Sequence, residues 1–358
     1  MGENRNILII WDRLGEYHWA RIAALKNVYE IGDIHVAEFG SGDSLYQWSQ
    51  LPVSGIRHHL LSKKTVEEAD LIGRINQYRT IIKQYDIKVV AQPGYAQPSY
   101  FIFLLLNRIF GLQTIFFAES WYRSNAVKDV LKKWLLRFSV NRFFVSGRRA
   151  YDYFSERLGQ PVSKIAVGYS VIDNVHFRHD MKRVREKNKY LLCVARYSEE
   201  KNLRRLIEAF RLSASYGKWK LILVGDGPQR EELQTLIGTD RSIELSGWKK
   251  YNELPVLYQK AWGMVLPSTF EPWGLVVNEA MAAGTPVAVS EYCGCVTDLE
   301  IAEEYIFDPY NAADMAKVID RLYNLSDAHR SVLIDCQLRS ISTFSCMDWA
   351  NKMKVLVS

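Results

Sequence analysis

Between residues 263 and 289 the chain spells out one strand–loop–helix–strand unit, and that unit limits what the rest can fold into. Gly263 to Leu266 is a short apolar run, the pattern of a buried strand. Pro272 and Gly274 mark a loop and the first turn of a helix. The helix runs through Val276, Glu279, Ala280 and Ala283 and stops at Gly284-Thr285-Pro286. A second apolar strand, Val287 to Val289, follows at once.

The chemistry of this unit is in its helix start. Free backbone N–H groups near Gly274, Leu275 and Val276 form a site for an anion such as phosphate. Glu271 precedes the helix and Glu279 lies inside it. Phosphate alone does not call for two carboxylates. A ligand that also carries hydroxyls does, because carboxylates accept strong hydrogen bonds from them. Phosphate with many hydroxyls describes a nucleotide-sugar. The competing reading is a surface helix with two solvated glutamates.

The run Glu271-Pro272-Trp273-Gly274-Leu275, followed by Glu279-Ala280-Met281-Ala282 and by Gly284, Pro286 and Val287, resembles the signature of retaining GT-B glycosyltransferases of family 4. The resemblance implies α/β architecture: two Rossmann-like domains facing each other across a cleft. It also implies a nucleotide-sugar donor, Glu271 on the donor sugar, Glu279 on the ribose, and Trp273 at the nucleotide with the helix start. Over the second half it rests on specific motifs, and over the first half on the order of elements.

The alternation of strands and helices agrees. Apolar strand patterns fall near residues 6–11, 34–39, 88–91, 114–118, 143–145 and 164–167, with helical patterns at 67–85, 99–110 and 127–138. Such alternation gives a mostly parallel sheet covered on both faces, with ligands beyond the carboxyl ends of its strands. At 358 residues the chain has room for two domains. We place them at 1–172 and 173–340, with 341–358 crossing back to the first. Residues 171–177 resemble the family's inter-domain segment, and the charged run 178–189 reads as linker or exposed surface.

In the first half the loop after the first strand, Asp12 to Gly15, has one glycine where a dinucleotide fingerprint needs three. An oxidoreductase is therefore disfavoured. The resemblance brings Gly15 near the donor phosphates or the acceptor. Two later strand ends stand out, at Gln92 to Tyr95 and at Glu119 to Tyr122. Family members place a histidine near the second; this chain has Glu119, which could bond a sugar hydroxyl or cap the next helix. His58 and His59 read as surface residues, and His18 shows no partner pattern.

In the second half Arg196 and Lys201 share one strand–loop–helix. The resemblance has them neutralise the donor diphosphate, and fixed cations do stabilise charge on a departing diphosphate. They would stand in for a metal, so no metal and no cofactor is expected. Gly225 and Gly227 read as turn residues first, and the resemblance puts Gly225 at the nucleotide-sugar. The Ser246-Gly247-Trp248 loop resembles the one whose backbone reads the nucleobase; Trp248 either stacks on the base or packs in the core.

No low-complexity segment, signal peptide or membrane-length apolar run is present, which leads us to expect a cytoplasmic protein. Cys193, Cys293, Cys295, Cys336 and Cys346 fit no zinc or redox spacing. Net charge is +6, yet Trp121 to Ala150 alone carries eight basic residues against one acid, Asp129. Lys128, Lys132, Lys133 and Arg137 can share a helix side, with Trp134, Leu135 and Phe138 beside them. This segment reads either as a solvated face or as a contact with an anionic membrane. Nucleic acid is not expected, for want of a motif.

The function expected is transfer of a sugar, of the hexosyl class, from a nucleotide-sugar to an acceptor, with retention. The acceptor is a glycan, a lipid-linked or a small molecule. A nucleotide-sugar epimerase and a non-catalytic nucleotide-sugar-binding protein are the alternatives.

Overall fold

A computed structural model describes residues 5–40, 53–65, 70–94, 97–121, 126–178 and 190–358. The chain divides into two compact units, Met1–Val171 with Cys346–Ser358, and Ile172–Ser345.

The first unit is built on seven strands: β1 (Asn6–Trp11), β2 (Ile34–Glu38), β3 (Arg57–Leu60), β4 (Ile87–Pro93), β5 (Gln113–Ala118), β6 (Arg142–Val145) and β7 (Ile165–Val167). Their order is β3-β2-β1-β4-β5-β6-β7 and every pair is parallel. The aromatic doublets show how both faces are covered. Successive side chains of a strand point to opposite faces. Phe116 and Phe143 accordingly pack with Phe154 and Leu136 in one core cluster. Phe117 and Phe144, their neighbours in sequence, meet Tyr169 and Trp349 instead. Trp349 belongs to the helix Cys346–Val357, which returns to this unit and lies against the helix Glu16–Lys26.

β3 is an element the apolar pattern does not announce, because Arg57-His58-His59-Leu60 has one apolar residue in four. It pairs with β2 at the sheet edge. This corrects the surface reading of His58 and His59. His58 Nε2 lies 2.9 Å from Glu38 Oε1. The His59 ring stacks on His35, with His35 Nδ1 2.9 Å from His59 Nε2. The helix expected from residue 67 begins at Leu71, where Asp70 accepts from Gly73 N–H at 3.1 Å; residues 66–69 lie outside the described residues.

The second unit holds β8 (Tyr190–Val194), β9 (Lys220–Val224), β10 (Ile243–Gly247), β11 (Gly263–Leu266), β12 (Val287–Ser290) and β13 (Ile306–Phe307). The order is β10-β9-β8-β11-β12-β13, again wholly parallel. From β8 the sheet grows one way through β9 and β10. From β11 it grows the other way through β12 and β13. The loops after β8 and β11 therefore flank the topological switch point, where open α/β sheets hold ligands. Both units are α/β, each built on a wholly parallel sheet. The charged run after Arg178 lies outside the described residues.

Candidate active site

The loop after β8 brings Arg196 and Lys201 to the switch point, and the loop after β11 brings Glu271. Lys201 lies on a short 3-10 turn, Glu199–Lys201, ended by Asn202 in the left-handed region at φ 55°. The Asn202 side chain donates to the carbonyls of Pro267 and Pro309 at 3.0 and 2.8 Å. It thereby ties the β8 loop to the β11 loop, and Lys201 Nζ donates to Glu271 Oε2 across the tie. Both side chains are largely but not wholly enclosed. Ser268 Oγ adds a 3.3 Å bond to the same carboxylate oxygen. Arg196 is exposed. Partial burial pushes the nearby Glu200 carboxyl up, but the Ser198 hydroxyl, its own backbone N–H, Lys201 and Arg196 outweigh that and hold it below the ordinary value.

Glu271 is fixed through its backbone as well. Its N–H donates to Tyr292 O and its carbonyl accepts from Gly294 N–H, so the β12 loop holds it as a strand partner would. Three residues on, Gly274 has φ 105° and opens the helix Leu275–Ala282. A side chain there would be strained and would press on Leu266 Cδ2 at 3.1 Å. Glycine is thus what lets the helix start beside the Glu271 carboxylate. The chemistry offered is an ammonium, a guanidinium and a helix start for anionic oxygens, with one carboxylate for hydroxyls.

The loops after β9 and β10 stand on the same edge. Gly225 has φ 140°, and a Cβ on it would sit 1.9 Å from Ala195 O. Its N–H donates to Gly247 O at 2.9 Å, lacing the β9 loop to the end of β10 beside the β8 loop. Trp248 follows with 46% of its surface exposed, so it does not pack in the core.

Residues 176–334 match the family described as Glycosyl transferases group 1. The second unit carries a glycosyl transferases group 1 domain. A glycogen synthase of Mycobacterium tuberculosis is 28% identical to the chain over 269 residues, 72% of this chain. The match spans 62% of that enzyme's own length. Among solved structures, sucrose-phosphate synthase from Thermosynechococcus elongatus has a TM-score of 0.78 at 17% identity, covering 98% of both chains. Anabaena HepE in complex with UDP and glucose has a TM-score of 0.73 at 16% identity, again over 98% of both.

Two expected residues of the glycosyltransferase domain lie deeper than the sequence suggests. Glu279 is 1% exposed, and its Oε2 accepts from the buried Tyr258 hydroxyl at 2.7 Å. The Trp273 side chain is corrected from the nucleotide to the core: it is 2% exposed, its indole N–H donates to Asn278 Oδ1 at 3.0 Å, and its ring meets Phe344. Leu275 and Val276 stay half-buried at the helix start. Asn202, Ser268 and Tyr258 are the supporting residues the sequence reading missed. Only Asn202, sitting just before a helical run, had a capping signal to find.

In the first unit Gly15 follows β1 and precedes the helix Glu16–Lys26 in extended backbone, φ −110°. Its N–H donates to His18 Nδ1 at 3.1 Å, which gives His18 the partner the sequence withheld. Desolvation, with Arg21 adding to it, pushes the His18 imidazole down to about 3, so it is neutral and able to accept. Glu119, after β5, accepts from Ser170 Oγ at 2.7 Å, and its carbonyl accepts from Ser146 Oγ. Residues 95 and 122, at the ends of the two strand-end motifs, lie outside the described residues.

The basic segment keeps part of the expected cationic side. On the helix Ala126–Ser139 Lys128 and Arg137 are exposed, together with an apolar set, Val127, Val130, Leu131, Trp134 and Phe138. Lys132 and Lys133 are half-buried, and Lys132 reaches the Tyr153 hydroxyl. Asp129 is buried, bonded to Arg157 at 2.8 Å. The adjoining helix Pro98–Ile109 adds exposed Phe101, Leu105 and Ile109. Residues 122–125 lie outside the described residues, Arg123 among them.

Proposed function

We propose that the protein transfers a hexosyl group from a nucleotide-sugar to an acceptor, with retention and without a metal. The observation that carries this is the Lys201–Glu271 pair beside a helix start at the switch point of a glycosyltransferase domain. In this reading the donor diphosphate draws Lys201 and Arg196 to itself, which releases the Glu271 carboxylate to accept from sugar hydroxyls. Charge that builds on the departing diphosphate meets cations already in place. The acceptor hydroxyl attacks from the face the leaving group vacates, and a diphosphate oxygen takes its proton. Glu279 holds the ribose and Trp248 meets the base. Glu119 and Gly15 line the acceptor side.

Uridine donors are the first to test, since HepE was solved with UDP and glucose. A panel of UDP-, GDP- and ADP-sugars should contain one that raises the melting temperature, because ligand binding to the native state stabilises it. That donor should be consumed only when an acceptor is added, and the new bond should keep the donor's anomeric configuration. Turnover without acceptor would mean an epimerase, and binding without turnover a non-catalytic protein. Activity that chelator abolishes would remove the metal-free mechanism.

The two-helix apolar face of the first unit supports docking on an anionic membrane, with the acceptor lipid-linked. Trp134 is 65% exposed and Ile109 74%, a surface that water does not favour and an interface does. Failure of the chain to sediment with anionic vesicles at low salt would remove this part.

A further inference from the structure

In the first unit a cavity of about 350 Å³ opens at the sheet edge where β5, β6 and β7 begin. This is the edge opposite the strand ends that carry Gly15 and Glu119. The volume is within the usual range of small-ligand sites, about 300–1,000 Å³. Its lining includes Arg108, Arg137, Arg142 and Lys164 and contains no Asp or Glu. Arg5 also lines it but is engaged by Gln113 Oε1 at 3.0 Å and by main-chain oxygens of Val357 and Ser358.

The other four cations have no Asp or Glu partner among the described residues. Arg108 rests over the Phe138 ring at 5.0 Å, and Arg142 donates only to the Asn141 carbonyl at 3.2 Å. Arg108 and Arg137 lie in the last turns of their helices, where a cation is favourable without any ligand. Arg142 and Lys164 have no such explanation. They stand at the starts of β6 and β7, and gathering them beside two more cations costs repulsion that an anion would offset. Ser139, which also lines the cavity, is 3% exposed and its hydroxyl has no hydrogen-bond partner. Arginines without Asp or Glu partners are what a phosphate group uses, its oxygens taking paired guanidinium N–H groups.

Where such a phosphate would come from is indicated by Phe138. It lines the cavity and also belongs to the exposed apolar stripe of Leu131 and Trp134. Ile109, next to Arg108, is exposed too. We propose that this cavity binds the phosphate of an anionic phospholipid headgroup, seating the first unit on the bilayer by the edge where its strands begin. For the source of the phosphate the inference rests on the membrane contact proposed above; for phosphate binding it does not.

The test uses the full chain in three forms: wild type, Arg142→Gln with Lys164→Gln, and Leu131→Ser with Trp134→Ser. Each is sedimented with phosphatidylcholine vesicles carrying phosphatidic acid, or phosphatidylserine at equal surface charge, and titrated with inorganic phosphate by calorimetry. An unchanged circular dichroism spectrum and unchanged hydrogen-exchange protection of β5 and β6 in both variants verify folding of the first unit. Wild type should prefer phosphatidic acid about tenfold, a difference of ~1.4 kcal/mol, because a monoester presents more charge to the cavity. The cavity variant should lose that preference and the part of the phosphate binding that wild type shows above it. The apolar-face variant should lose both vesicles and keep phosphate. A cavity variant that matches wild type on phosphatidic acid and on phosphate overturns the proposal. Loss of phosphate binding with no lipid preference in wild type overturns the headgroup as the source. Wild type that binds no vesicle overturns the membrane contact and the headgroup together, while the calorimetric difference decides whether the cavity takes phosphate.

Discussion

Lys201 has a central part in the proposed reaction and is held in place in the resting protein. Its ammonium is fixed to Glu271, and Asn202 fixes the turn behind it. Lys201→Ala should lower turnover by about 10²–10³, the scale for loss of one preorganised charge donor. Affinity for the nucleoside diphosphate should fall while affinity for the nucleoside stays unchanged, a split that a merely structural lysine would not produce. Steady-state kinetics and calorimetry on both ligands check this, and equal loss for the two ligands would remove the diphosphate role. Trp273 shows the limit of reading one residue at a time. It stands between two motif residues, yet its indole is core, bonded to Asn278.

At the scale of elements, the site depends on loops that touch through their backbones. The β9 loop can lie against the β8 loop because residue 225 has no side chain. Gly225→Ala would place a Cβ 1.9 Å from the Ala195 carbonyl oxygen, an overlap only backbone movement can relieve. A loop shift of this kind costs about 1–3 kcal/mol, and it moves the loop that carries Arg196. The expected outcome is a lower melting temperature for the second unit together with weakened nucleotide binding; denaturation with and without nucleotide measures both. An unchanged nucleotide affinity would separate the β9 loop from the site. The helix Ala126–Ser139 shows a second element effect. Its apolar stripe is outward because Asp129 and Leu136 are drawn inward, toward Arg157 and the β5–β6 core.

For the whole molecule, the chain leaves the first unit after Val171 and returns to it at Cys346. The returning helix closes one face of the first sheet through Trp349, wholly buried against Phe117 and Phe144. Trp349→Ala should therefore cost about 3–5 kcal/mol, and the loss should appear in the first unit although the residue lies at the far end of the sequence. Hydrogen exchange resolved by unit is the measurement, with β5 and β6 losing protection and β8 to β12 keeping theirs. Equal loss in both units would mean that they unfold as one. The sequence by itself determined the alternation of strands and helices, the unit around Glu271 and the cations at 196 and 201, because apolar period and helix punctuation are local properties. Tertiary structure alone decided the polar edge strand Arg57–Leu60, whose pattern follows its partner β2 rather than its own residues. It also decided the burial of Trp273 and Glu279, the outward apolar stripe, and the cavity whose cations come from residues 108, 137, 142 and 164. Those depend on which surfaces meet, and contacts between distant segments leave no period in the chain.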